Sequence, residues 1–359
     1  MKTIIFLRLL AAGVVTIGGN SSATAAEPCN PVGKLHFVCG PMNSEDLVQI
    51  PGTDWIVASG FAGGGTPAGH LYLINTRDKS SKVLFPDGDP RMQLDKATYG
   101  DCPGPPDLAK FSTHGLNLRH GSGGVDTLYV VNHGGREAVE IFSLEAKGPE
   151  PTVAWIGCAV MPGHTWPNSV APLPDGGMVV TDMFDPGDPK SSDKLAAGEV
   201  TGAVYQWHPH EGFALVSGSQ MSGDNGIEVS RDGEWIYFAA WGNKAVVRLP
   251  REGGASAKPE TLSAGFLADN LRWAPDGKLL LAGQDTAAKN VFGCFESHQT
   301  RCTQPWRIVK WDTAAMKLEP LVSEAGNPEF GDATVALQNG EDIYVGTFRG
   351  DRISYFSLK

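Results

Sequence analysis

The chain has 359 residues, 41% hydrophobic and 19% charged, with 45 Gly, 25 Pro and a net charge of −11. That is ample apolar material for a large core, and such acidity argues against a nucleic-acid binder, which needs basic patches to neutralise phosphates. Abundant Gly and Pro without a collagen period point to a fold rich in turns.

The one long apolar stretch opens the chain. MKTIIFLRLLAAGVVTIGG carries Lys2 and Arg8, and Ala23-Thr24-Ala25 supplies a small-x-small cleavage pattern. Residues 1–25 therefore read as a secretory signal peptide, which predicts export to the periplasm or beyond. The remainder, 26–359, reads as one domain with no transmembrane segment. All six cysteines (29, 39, 102, 158, 294 and 302) fall in that remainder. An even count in an exported chain predicts disulfides. The nearest pair, Cys294 and Cys302, bracket FESHQTR and are expected to staple one loop.

Short β-type runs recur along the chain: IVAS at 56–59, LYVV at 128–131, MVVT at 178–181, IYFA at 236–239, LLLA at 279–282 and IYVG at 343–346. Each follows a Gly-containing turn such as PDGG at 174–177 or PDGK at 275–278, and each precedes a second β-type run. Convincing helical periodicity is absent. Ahead of each turn lies a third strand-like segment that begins with a polar residue. Six such units predict an all-β chain folded as a six-bladed β-propeller, one four-stranded sheet per blade. The last unit stops after its third strand, so the N-terminal KLHFV at 34–38 is expected to close the last blade.

If the polar-started strands are innermost, Glu45, Asp46, His114, Asn168, Asn225, Asp269, Asn270 and Asp332 converge at one mouth of the channel. Converging carboxylates and amides repel, or lie unsatisfied, unless a cation sits among them. Oxygen-only ligation suits Ca²⁺. Asn and Asp also cap turns, which explains one blade more readily than a shared register in six. The connection from second to third strand returns to the same face. It carries NHGGRE at 132–137, with His133, and the long insertions 183–202 and 284–306. No G-x-S-x-G, H-E-x-x-H or C-x-x-C occurs, which removes the common serine-hydrolase, zincin and thiol-redox signatures.

With these residues in order, the sequence resembles the calcium-dependent paraoxonase/arylesterase family, within the senescence-marker-protein and gluconolactonase propellers. The likeness runs from about Ser44 to the C-terminus. It rests on SEDL at 44–47, HGL at 114–116, VVNH at 130–133, PNSV at 167–170, NGIEVSRDG at 225–233, ADN at 268–270 and DATVA at 332–336. The resemblance implies a calcium held by Glu45, Asn168, Asn225, Asp269 and Asn270, and a histidine pair formed by His114 and His133. It also implies hydrolysis of lactones and aryl esters. A second, structural calcium would use Asp46, but Ser169 stands where the family has its other acid, which leaves that ion in doubt.

The expected function is therefore a calcium-dependent hydrolase of small-molecule lactones or aryl esters. Ca²⁺ would polarise the carbonyl and His114, oriented by His133, would activate water. Two alternatives stay open: a sugar lactonase of gluconolactonase type, and a non-catalytic ligand-binding propeller with a structural calcium.

Overall fold

The computed structural model describes residues 29–358, apart from 64, 65, 67, 253 and 298. The expected signal peptide at 1–25 lies outside the described residues. Six four-stranded antiparallel sheets make up the fold, each built from strands consecutive in sequence except the last. In that sheet His36–Cys39 pairs in antiparallel register with Arg352–Ser357, so the N-terminal segment closes the ring as expected. The six innermost strands are Ser44–Gln49, Thr113–Arg119, Pro167–Pro172, Asp224–Val229, Leu267–Trp273 and Ala333–Asn339. Each packs against its two neighbours around the channel.

Alternation along the strands sends one set of side chains into the layers between blades. Leu116, Leu128, Val130 and Val170 are buried in one such layer, Leu47, Ile56 and Val335 in another. This apolar interleaving makes the ring rigid. The inner strands also approach one another closely. A Cβ on Gly115 would sit 2.5 Å from the Asn168 carbonyl oxygen, and one on Gly226 would sit 2.4 Å from the Asn270 Cα. Only glycine fits at these two points of closest approach.

Among the described residues, two short α-helices sit in the otherwise all-β fold, one in each long insertion: α1 (Ser191–Ala197) and α2 (Ala288–Glu296). Both are too short for a periodic pattern to stand out in the sequence. Helix α1 ends at Gly198 in the left-handed region, φ 73°, the usual helix stop. Helix α2 carries Cys294, which is bonded to Cys302 as expected. The other bridges are Cys29–Cys39 and Cys102–Cys158. No helix among the described residues is long and apolar enough to cross a membrane.

Candidate functional site

Every inner strand carries an irregularity near its start. Pairing with the neighbouring strand skips between Ser44 and Asp46, Thr113 and Leu116, Pro167 and Val170, Asp224 and Ile227, Ala268 and Leu271, and Ala333 and Val335. A bulge re-aims the side chains of its unpaired residues. The residues skipped include Glu45, His114, Asn168, Asn225, Asp269 and Asn270, so the candidate set is turned out of the ladder and toward the axis. Polar strand starts were visible in the sequence; the bulges that use them were not.

The five candidate ligands come together. Asn270 donates from Nδ2 to Glu45 Oε1 at 2.6 Å, and Gln284 donates from Nε2 to Asp269 Oδ2 at 2.8 Å. Asn168 Nδ2 lies 3.4 Å from His114 Nε2. These contacts occupy the donors and leave acceptors bare. Glu45 Oε2, Asn168 Oδ1, Asn225 Oδ1, Asp269 Oδ1 and Asn270 Oδ1 are all buried without a hydrogen-bond partner. Leaving one such atom unmet costs about 1–3 kcal/mol, so five together form an acceptor set suited to a cation. Burial, then neighbouring carboxylates, pushes the Glu45 carboxyl well above its usual range, and burial pushes Asp269 up as well. Five hard oxygens from acids and amides are the donor chemistry of calcium, and the residues present fit that ion.

Beside them stands a relay. His114 Nδ1 is 2.9 Å from His133 Nε2, and His133 Nδ1 is 2.6 Å from Glu137 Oε2. Burial, reinforced by His133, holds His114 well below the usual imidazole value; burial alone holds His133 at about 3 and raises Glu137 to about 7. Both rings are therefore neutral. An ionised Glu137 can only accept, so His133 donates from Nδ1 and accepts at Nε2 from His114. The His114 Nε2 lone pair then faces the cavity, accepting the long 3.4 Å contact from Asn168 Nδ2 and lying 3.8 Å from Glu45 Oε1. Glu137 went unnoticed in the sequence, although it lies four residues beyond His133 in the same loop.

The cavity above these groups has a volume of about 310 Å³. Its walls are mostly apolar: Phe61, Trp166, Phe184, Trp241, Phe292 and Phe295. Trp166 stacks on His133 with centroids 4.1 Å apart, and Phe61 meets His114 edge-on at 5.0 Å. Helices α1 and α2 roof it through Leu195, Val291, Phe292 and Phe295. The elaborate insertions thus cover the mouth where the polar residues converge.

Asp46 and Asp332 are placed differently. Asp46 is fully buried against the Arg272 guanidinium, and its carboxylate also accepts the Leu116 N–H at 2.9 Å. Asp332 sits just before its strand with φ 48° and leaves Oδ1 unpartnered.

No family model matches the chain, and no curated protein matches it in sequence. Its likeness to solved structures is one of fold. A gluconolactonase from Xanthomonas campestris, described as important in glucose secondary metabolism, superposes with a TM-score of 0.52 at 15% identity, covering 90% of this chain and 89% of that one. A luciferin-regenerating enzyme gives a TM-score of 0.51 at 14% identity, covering 89% and 93%. The chain shares the six-bladed propeller fold of these structures.

Proposed function

We propose that the protein is a calcium-dependent hydrolase of lactones and aryl esters that works after export. The observation that carries this reading is the set of five unpartnered oxygens, one on each candidate ligand, beside an imidazole nitrogen whose lone pair faces an apolar cavity. Three disulfides are in keeping with an oxidising compartment. Glu45, Asn168, Asn225, Asp269 and Asn270 would hold the ion, which when bound supplies Lewis-acid polarisation of the substrate carbonyl.

The chain's own groups do the rest. His114 Nε2 takes a proton from water as the water attacks the carbonyl carbon. His133 and Glu137 keep His114 in the tautomer with its lone pair toward the cavity. The C–O bond to the ring or aryl oxygen then breaks, and the proton held at Nε2 passes to the departing oxygen, leaving the hydroxy acid or the acid and phenol. Trp166, Phe61 and Phe295 exclude bulk water and seat the apolar part of the substrate.

The walls favour apolar lactones and aryl esters over a sugar lactone, whose hydroxyls would meet aromatic faces. Hydrolysis of a panel of alkyl lactones, gluconolactone and phenyl esters, with calcium and with chelator, tests this. We expect kcat/KM for alkyl lactones to exceed that for gluconolactone by about 10²-fold. The reverse preference would make the protein a sugar lactonase, and calcium binding without turnover of any member would make it a ligand-binding propeller.

A further inference from the structure

Below the five candidate ligands the channel holds a second cluster of oxygens, and it is already filled. Arg272 is 3% exposed and belongs to the same inner strand as Asp269 and Asn270. Its guanidinium donates from Nε to the Leu47 carbonyl at 2.8 Å. One terminal nitrogen reaches the Leu271 carbonyl at 2.6 Å and Glu228 Oε1 at 3.3 Å; the other reaches the Leu116 carbonyl at 2.5 Å and Asp46 Oδ2. A guanidinium has five N–H donors, and each has an oxygen. These oxygens come from the first, second, fourth and fifth blades. Two carboxylates and three carbonyls converging from four strands form the donor set a hard cation would take.

We infer that the Arg272 guanidinium is a built-in cation occupying the second cation position of the channel, so that the chain binds a single calcium. The inference rests on the calcium reading of the upper site and concerns what that site stands on. A metal ion cannot share these oxygens with the guanidinium, because all five already accept from its N–H groups and the two positive charges would repel. Arg272 also spans the channel from the strand of Asp269 and Asn270 to that of Glu45 and Asp46. It is therefore a positioning residue that fixes the separation of ligands contributed by different blades, as supporting partners do in metal sites generally.

Equilibrium dialysis of the purified protein against calcium up to saturation, with the bound metal quantified per chain, tests the inference without reference to activity. We expect one calcium per chain for the natural protein and for Arg272→Lys, which keeps the charge. Arg272→Met removes the charge and frees the oxygens, so its count should rise to two. A count of two in the natural protein, or a folded Arg272→Met that stays at one, would overturn the inference while leaving the upper site standing. A count of none would overturn the calcium reading itself, and this inference with it. If Arg272→Met does not fold, the natural protein and Arg272→Lys still decide between one and two.

Discussion

His133 Nδ1 and Glu137 Oε2 lie 2.6 Å apart, and that contact sets the direction of every hydrogen bond up to the His114 lone pair. Burial raises the Glu137 carboxyl from its ordinary value to about 7. Above pH 7 it is ionised and accepts from His133, leaving His114 Nε2 without a proton and able to accept one. Below pH 7 its O–H donates to His133 Nδ1, the relay reverses, and His114 presents an N–H that cannot accept a proton. The nearby Asp182, raised to about 7 by burial with charges of Asp185 and Glu137 adding, titrates in the same window. Turnover should therefore rise with pH through about 7. In Glu137→Gln, which accepts at all pH values, that rise should vanish, with the plateau lowered roughly tenfold. A pH–rate profile unchanged by Glu137→Gln would refute the relay.

The two histidines should differ in weight. His114→Gln should leave calcium affinity close to that of the natural protein and lower turnover by roughly 10²–10⁴, the range for a lost general base. His133→Gln, which only alters the orientation of His114, should cost less. Calorimetric calcium titration alongside steady-state kinetics checks both; near-normal turnover in both variants would remove the pair from the chemistry.

Calcium and pH should act on stability together. Burial lifts the folded-state pKa of Asp269 to about 7 and that of Glu45 well above the carboxylate range. A raised carboxyl pKa contributes stability below its ordinary value that is lost as pH rises through the folded value. Metal-free protein should accordingly lose stability between about pH 4 and 7 from these groups. Calcium binds the ionised oxygens, so the Tm increment it produces should be larger at about pH 8 than at about pH 5.5. Scanning calorimetry with calcium and with chelator measures this, and an increment larger at the lower pH would contradict it.

The Cys294–Cys302 bridge ties down the end of α2, whose Phe292 and Phe295 line the cavity. Its loop is short, so it constrains the unfolded chain modestly. Replacing both cysteines with serine should change the ratio of kcat/KM between large and small lactones more than it changes Tm. Equal substrate ratios accompanied by a large fall in Tm would show that the bridge serves the fold rather than the cavity.

Most of the architecture was legible because strand alternation and Gly turns are local signals. Six repeats of run, turn and run specify the blades, and the truncated last unit specifies how KLHFV is used. The polar residues at the strand starts were legible for the same reason, since their register repeats. Arg272 and Glu137 were not. Arg272 is one basic residue in a strand, and only the closure of the ring brings Asp46, 226 positions away, against it. Glu137 acquires meaning only when its loop folds back on His133. Helices α1 and α2 are held by packing against each other and the channel mouth rather than by a periodicity of their own.

The central claim is that an ion held by five oxygens makes this propeller a hydrolase. The most direct test strips the protein with chelator and titrates calcium back while following hydrolysis of an alkyl lactone, with Asp269→Ala as the paired control. Turnover should be absent in the stripped protein, return in proportion to calcium bound, and fail to return in Asp269→Ala. Full turnover in the stripped protein, or recovery in Asp269→Ala equal to that of the natural chain, would contradict it.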